Sequence, residues 1–230
     1  MKSGKITSKA DSARRRYDDA CGTALAMDLV GERWSLLIVR ELMFGPRRFG
    51  EIRTNVPGIS ANLLTQRLEG LEASGIVRRY RLPSPANVAV YDLTDWGRES
   101  EPIFAAMVRW ALRSPAHDPS LFLSPASLMM SLAALFDAGR AGGWEVRIGF
   151  RFADDGFVGQ VAQGAFRAVR ADPGQAETVL AGEPGVLIRV IYGRRPLAEF
   201  EAEGRLAVAG DRAAAERFAT LFPFPRKLGG

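Results

Sequence analysis

Cysteine and histidine are almost absent from this 230-residue chain, which has one of each, Cys21 and His117. A single cysteine excludes an internal disulfide framework, and a single histidine excludes a catalytic histidine pair and argues against a zinc site. No apolar run approaches the ~18 residues of a membrane-spanning helix. Residues 1–19 are polar and basic and lack the apolar core of a secretory signal. We therefore expect a cytoplasmic protein without a metal or cofactor.

Catalytic motifs are also lacking. The chain contains no Ser/His/Asp set, no paired-carboxylate motif and no glycine-rich phosphate loop, so we do not expect an enzyme. What the chain does have is a hydrophobic content of 47%, which is enough for the cores of one or two domains.

The excess positive charge lies in the first half of the chain. Residues 1–115 contain 18 Lys/Arg and 13 Asp/Glu, whereas residues 116–230 contain 13 of each. This distribution is typical of a half that binds a polyanion such as DNA, joined to an electrically neutral half.

The segment 60–74 predicts a helix with two different faces. Its start and end are marked by Ser60, a good N-cap, and by Gly75, which tolerates the left-handed conformation that ends a helix. Three leucines form an apolar stripe on one face: Leu64, Leu68 and Leu71. The opposite face carries amides and a hydroxyl, side chains that suit the reading of base edges in a major groove. We predict DNA contacts at Ser60, Asn62, Thr65, Gln66 and Arg67.

A basic hairpin is predicted directly after this helix. Residues 76–82 and 88–93 read as strands, and the Pro- and Asn-containing segment 83–87 reads as a turn. A polar helix followed by a basic ribbon indicates a winged helix-turn-helix, although an ordinary amphipathic helix and hairpin is the alternative. We predict phosphate contacts at Arg78, Arg79 and Arg81, and at Arg48 in an earlier turn beside Arg47.

Residues 21 to about 113 resemble the HxlR family of bacterial transcriptional regulators, which is similar in fold to the MarR regulators. The matching residues are Cys21, Gly31-Glu32-Arg33-Trp34, Leu36-Leu37-Ile38, Gly45, Arg48-Phe49, Ile59-Ser60, Leu63-Leu64, Gln66-Arg67-Leu68, Leu71-Glu72, Gly75-Ile76-Val77, Tyr91, Leu93-Thr94 and Gly97. The resemblance implies a homodimer that binds inverted-repeat DNA, with recognition helices about one helical turn apart.

Two further expectations follow from this resemblance. A late helix has a wider apolar face than a small winged domain needs, and we assign that face to the dimer interface through Ile103, Phe104, Met107 and Trp110. Some family members sense oxidants through a cysteine near the first helix, so Cys21 is a candidate redox site. The alternative, and the one that residue type favours, is that Cys21 is a small buried apolar residue.

The second half of the chain changes its pattern. A Pro/Ser-rich linker at 115–124 contains His117, an apolar helix begins at Pro125, and strands with a two-residue period begin at Trp144. The runs Phe166–Gly174 and Gly204–Asp211 resemble the sterol carrier protein 2-like fold, which implies an apolar cavity. We predict its lining as Met129, Leu132, Phe136, Phe150 and Phe166. A packed core without a cavity is the alternative.

The predicted fold class is therefore α+β. A basic tail at 1–19 is followed by a winged helix domain at 20–114, the linker at 115–124, and a helix-covered antiparallel-sheet domain at 125–230. The predicted function is that of a dimeric DNA-binding regulator whose effector is an apolar small molecule. A redox regulator acting through Cys21 and a lipid carrier are the alternatives.

Overall fold

The computed structural model describes residues 17–229 and folds them around two hydrophobic cores, one in each half of the chain. The predicted basic tail falls almost wholly on residues 1–16, which lie outside the described residues. Among residues 17–229 no helix is long and apolar enough to cross a membrane.

The first unit is built from six helices and one hairpin. Its elements are α1 (Gly22–Val30), α2 (Ser35–Leu42), α3 (Phe49–Asn55), α4 (Ala61–Ala73), β1 (Val77–Arg81), β2 (Ala89–Leu93), α5 (Asp95–Arg98) and α6 (Glu101–Ala111). Buried side chains from α2, α3, α4 and the hairpin form its core, and Phe104 of α6 completes it. This is the predicted winged helix-turn-helix arrangement.

The second unit has five strands covered by helices. Its elements are α7 (Pro125–Leu135), α8 (Ala138–Ala141), β3 (Val146–Arg151), β4 (Gly156–Ala162), β5 (Ala165–Arg170), β6 (Thr178–Gly182), α9 (Pro184–Ile191), α10 (Leu197–Ala202), β7 (Leu206–Ala209) and α11 (Arg212–Ala219). Together the two units confirm the α+β fold class.

The sheet of the second unit is mixed rather than wholly antiparallel. Its strand order is β5-β4-β3-β6-β7, and β3 pairs with β6 in parallel while the other three pairings are antiparallel. The chain crosses back over β3 after β5, through a short turn at Pro173, and so enters β6 in the same direction as β3. Gly149 allows that crossing, since a Cβ there would lie 2.3 Å from the Pro173 carbonyl oxygen.

Arg47 joins the wing to the second unit. Its backbone N–H donates to the Tyr91 carbonyl and its own carbonyl accepts from the Tyr91 N–H, both at 2.8 Å, so the turn before α3 extends the hairpin by one bridge. Its side chain, almost fully buried, forms an ion pair with Asp155 in the β3–β4 turn. Asp155 also accepts from Arg170 at 2.9 Å. Buried charges therefore link the two units at this point.

Candidate nucleic-acid interface

The helix α4 begins and ends where its sequence predicts. The Ser60 hydroxyl accepts a hydrogen bond from the Leu63 N–H at 3.2 Å, which satisfies one free donor of the first turn. The chain leaves the helix through Gly75, whose φ of +74° favours glycine. These two residues fix both the length of α4 and the direction from which the hairpin follows.

The two faces of α4 are sharply different. Leu64, Leu68 and Leu71 are each exposed by 1% or less, so the predicted anchoring of the helix by three leucines is confirmed. Asn62, Thr65 and Gln66 are exposed. The Thr65 hydroxyl donates to the Ala61 carbonyl at 3.1 Å, which leaves its oxygen as an acceptor. The two amides have no hydrogen-bond partner among residues 17–229, and they can bind an outside molecule.

Arg67, also on α4, is occupied within the protein. Its Nε donates to the Arg33 carbonyl at 3.0 Å, and its guanidinium lies 2.8 Å from the Glu32 carboxylate. These contacts hold the segment before α2 against α4. In this arrangement Arg67 positions α4 and its charge is paired with Glu32, so its contact with a phosphate stays a prediction.

The wing presents two of its three arginines on one face. Successive side chains of a strand alternate between faces, so Arg79 and Arg81 share one side of β1 and Arg78 points to the other. Arg78 lies opposite Asp92 and is 3.0 Å from its carboxylate. Arg81 donates to the Asn87 carbonyl at 3.0 Å, and Arg79 stacks over Tyr91. Only Arg78 among the three is neutralised by a carboxylate in the described residues.

The neighbouring Arg47 and Arg48 point in opposite directions. Arg48 is exposed at the start of α3, and its backbone N–H donates to Glu51 at 2.6 Å. Arg47 is only 6% exposed and is turned towards the second unit. A phosphate contact at Arg47, which shares this turn with Arg48, is excluded because its guanidinium is bound to Asp155. No local pattern in the sequence separates these two arginines.

Two apolar surfaces remain uncovered on the first unit. The helix α1 has no buried residue, and Leu25 and Met27 are exposed on it. On α6, Ile103 is 50% exposed and Trp110 is 77% exposed. Met107 is half-buried. Phe104 is only 6% exposed because α6 packs against the core of the first unit. The prediction that Phe104 contacts a second subunit is therefore wrong.

The five residues predicted to line a pocket in the second unit do not line one. Met129, Leu132 and Phe150 are fully buried, and Phe166 is 6% exposed. Phe136 packs against Phe166 and Phe222 with ring centroids about 6 Å apart. All five belong to a packed core or pack against it. None of them lines the large apolar cavity, which lies at the junction of the two units. The lipid-carrier alternative loses the internal cavity on which it depended.

Cys21 is exposed at the start of α1, so the expectation of a buried cysteine is wrong. Hydrogen bonds from the backbone N–H groups of Ala24 and Thr23, and from the Thr23 side chain, lower the pKa of its thiol. A lowered pKa increases the fraction of the reactive thiolate at neutral pH. Arg14 to Arg16, which are close to Cys21 in sequence, lie outside the described residues.

The capped helix with its exposed amides and the basic hairpin beside it together define a winged helix-turn-helix DNA-binding protein. The model of the HxlR-like helix-turn-helix family matches residues 29–118. The HTH-type transcriptional regulator YodB of Bacillus subtilis is 42% identical over 86 residues, which are 37% of this chain and 77% of YodB. The chain therefore belongs to the HxlR-like helix-turn-helix family and is a DNA-binding transcriptional regulator.

Two further comparisons agree with this assignment in sequence. The HTH-type regulator YvaP of Bacillus subtilis is 38% identical over 86 residues, 37% of this chain and 80% of YvaP. The solved reduced form of YodB from Bacillus subtilis is 37% identical, and the match covers 44% of this chain and 100% of the YodB chain with a TM-score of 0.39. The family match ends at residue 118, so the likeness of the second unit to the sterol carrier protein 2-like fold stays a prediction.

Proposed function

We propose that the chain acts as a homodimer that recognises an inverted-repeat operator with two copies of α4 and two wings. The observation that carries this proposal is the exposed amide face of α4, set on three buried leucines and capped at Ser60. Asn and Gln side chains read adenine in the major groove through paired hydrogen bonds. Asn62 and Gln66 lie four residues apart and therefore on one side of the helix.

The phosphate contacts come from the residues around that face. Arg48 at the start of α3 and Arg79 and Arg81 on the wing are exposed and have no carboxylate partner among the described residues. Ser60 sits at the N-terminus of α4, where backbone N–H groups favour an anion. These groups position the protein on the duplex, and the amides of α4 supply the sequence preference.

The dimer is proposed to form through α1 and the outer face of α6. A helix with no buried residue gains little from its own unit, and the exposed Trp110 and Ile103 provide apolar area for a second copy. A two-fold arrangement of this kind matches the symmetry of an inverted repeat. We place the protein in the cytoplasm with the DNA, propose no enzymatic activity, and assign control to an apolar small molecule.

A gel shift on the promoter region of the chain's own gene tests this proposal. The triple variant Asn62→Ala/Thr65→Ala/Gln66→Ala is expected to weaken specific binding at least about tenfold, because each lost base contact costs roughly 1–3 kcal/mol. Glu72→Gln, an exposed position further along α4, is the matched control and retains wild-type affinity. Undiminished binding by the triple variant refutes the assignment of α4.

Redox control through Cys21 is a second candidate, favoured by the exposure of the thiol and its lowered pKa. Oxidation of an exposed thiolate gives a sulfenic acid that a thiol, including one from a second subunit, can convert to a disulfide. Peroxide is expected to change the DNA affinity of the wild type and to leave Cys21→Ser unaffected. Equal responses of the two proteins exclude this candidate.

A further inference from the structure

An apolar cavity of about 760 Å³ lies where the two units meet. The helices α2 and α6 of the first unit form one side, and α7, α9 and the C-terminal segment form the other. Most of its wall is apolar, with large side chains such as Leu37, Met107, Met130, Ile188 and Phe224. Its size lies within the range of small-molecule sites, roughly 300–1,000 Å³.

One hydroxyl pair in the wall has a hydrogen left to donate. The Ser131 Oγ and the Tyr192 hydroxyl oxygen are 2.7 Å apart, and either can be the donor. A pair of hydroxyls that shares one hydrogen bond uses one of its two hydrogens. No acceptor for the second hydrogen is found among residues 17–229. Burial raises the pKa of Tyr192, so its hydroxyl stays protonated and available.

The charged groups around the cavity are all of one sign. Arg40, Arg189, Arg195 and Lys227 line it, and none of the described residues that line it is acidic. Arg40 is paired with Glu41 and Arg195 with Glu199. Arg189 and Lys227 have no carboxylate partner in the described part of the chain.

The other polar contacts at the cavity do not neutralise Arg189 or Lys227. Lys227 gives one hydrogen bond to the Ser114 carbonyl at 2.8 Å and keeps two hydrogens. His117, which lies in the predicted linker, also lines the cavity, and burial together with the nearby charge of Lys227 lowers its pKa. The positive charge of the lining therefore favours an anion, and the apolar part of the wall favours an uncharged body.

We propose that this cavity binds an apolar molecule carrying a single acidic group, with its body against the methionines and leucines and its acidic group at Arg189 and Lys227. The free hydroxyl hydrogen of the Ser131–Tyr192 pair binds a further oxygen of the ligand. The inference rests on the proposed function only in naming this ligand as the effector. Binding itself does not depend on DNA.

The position of α2 provides the link to the recognition helix. Leu36, Leu37 and Arg40 of α2 line the cavity, while Ile38, Val39 and Leu42 of the same helix belong to the core that holds α4. A ligand that fits one placement of α2 better than another shifts the equilibrium between them by the difference in its two affinities. The same shift changes the placement of α4.

Two fluorescent probes that differ by one charge test the inference on the full chain. The probes are 1-anilinonaphthalene-8-sulfonate, which is an anion, and N-phenyl-1-naphthylamine, which has the same aromatic body without the sulfonate. We expect the anionic probe to bind in a 1:1 ratio and about tenfold more tightly than the neutral one. Arg189→Gln/Lys227→Gln is expected to remove that advantage and to leave the neutral probe unaffected. The control Arg226→Gln changes an exposed neighbouring arginine that does not line the cavity.

A second pair of variants tests the place of binding. Ala111 lines the cavity, so Ala111→Trp is expected to fill it and to weaken both probes at least about tenfold. Ala202→Trp adds the same bulk at an exposed site on α10, outside the cavity, and is expected to change neither affinity. The circular dichroism and melting temperature of each variant establish that it is folded.

Three results overturn the inference. The first is equal affinity for the two probes in the wild type, and the second is undiminished binding by Ala111→Trp. The third combines two observations: the wild type is a dimer that binds neither probe, and Ala111→Trp is a monomer in analytical ultracentrifugation. That result assigns the cavity to a second copy of the chain. If the probe binds as expected but leaves operator affinity unchanged, the site stands and its role as effector site is rejected. If operator binding itself is absent, the proposed function fails while the probe result is unaffected.

Discussion

Asp155 is the residue whose removal most directly tests how the two units are joined. Its side chain is 7% exposed and accepts from two guanidiniums, those of Arg47 and Arg170, whose side chains are 7% and 18% exposed. Burial lowers the pKa of Arg170, and Asp155 counteracts that shift as its nearest negative charge. Arg47 Nε and Arg170 Nη2 are buried and have no hydrogen-bond partner among residues 17–229. Glu51 also lies 3.4 Å from Arg47, but its side chain is 42% exposed, so Asp155 is the buried carboxylate that both guanidiniums share among the described residues.

The substitution Asp155→Asn removes that charge while it keeps the size of the side chain. Breaking a buried ion pair by removing one partner costs about 3–5 kcal/mol, because the other charge is left buried and uncompensated. With a denaturant slope of about 3 kcal/mol per molar urea, the unfolding midpoint is expected to fall by about 1 to 2 M. Asp155→Asn/Arg170→Met is expected to recover part of this loss, since it also removes one of the uncompensated charges.

Urea unfolding followed by tryptophan fluorescence and by circular dichroism measures the effect. The control is Asp154→Asn in the same turn, because Asp154 is exposed and forms no ion pair among the described residues. Its midpoint is expected to stay within about 0.2 M of the wild type, as is usual for surface substitutions. If Asp155→Asn moves the midpoint no further than Asp154→Asn, the buried charges do not hold the units together and the reasoning is refuted.

Three other outcomes are expected. Burial raises the pKa of Glu41, so its negative charge opposes folding above the unfolded pKa of about 4.3. Glu41→Gln is therefore expected to raise the urea midpoint at neutral pH by an amount that vanishes at about pH 4. A gain that is independent of pH contradicts this. Ser60→Ala is expected to cost about 1 kcal/mol in the same assay, whereas Ser60→Asp retains the cap and the stability, and a neutral Ser60→Ala shows that the cap is dispensable. Arg79→Gln/Arg81→Gln is expected to reduce the slope of log affinity against log salt by about 4, two contacts in each of two subunits, and the control Arg78→Gln by less, because Asp92 already pairs with Arg78. Equal slopes for the two proteins count against the wing contact.

The helix and the hairpin of the candidate interface could be predicted from the sequence because their signals are local. The cap at Ser60, the stop at Gly75 and the leucine stripe all lie within one segment of α4, and each acts through neighbours in the chain. The hairpin has the same property, since its turn and its strand pattern are adjacent. A helix boundary or an amphipathic face is set by such short-range effects. The structure therefore has the helix ends and the buried leucine face that the sequence predicts.

The contacts between the units could not be predicted in the same way. Arg47 and Asp155 are 108 positions apart, and nothing near Arg47 distinguishes it from Arg48, which stays exposed. The parallel pairing of β3 with β6 was also missed, because an alternating pattern gives the face of a side chain but not the direction of the neighbouring strand. Residue type placed methionine and phenylalanine in a pocket, whereas the packing of α7 against the sheet buried them.

Arg47 contacts both the hairpin and the second unit, and this limits which domains can replace the second unit in a chimeric regulator. Its main chain sets the tilt of the wing through Tyr91, and its guanidinium needs the carboxylate of Asp155 from the far half of the chain. A chimera that grafts this DNA-reading half onto a foreign sensor must therefore provide a buried acid at the same point, or replace the arginine with an apolar residue. Without either, the graft leaves a buried guanidinium whose remaining carboxylate partner is Glu51, which is 42% exposed.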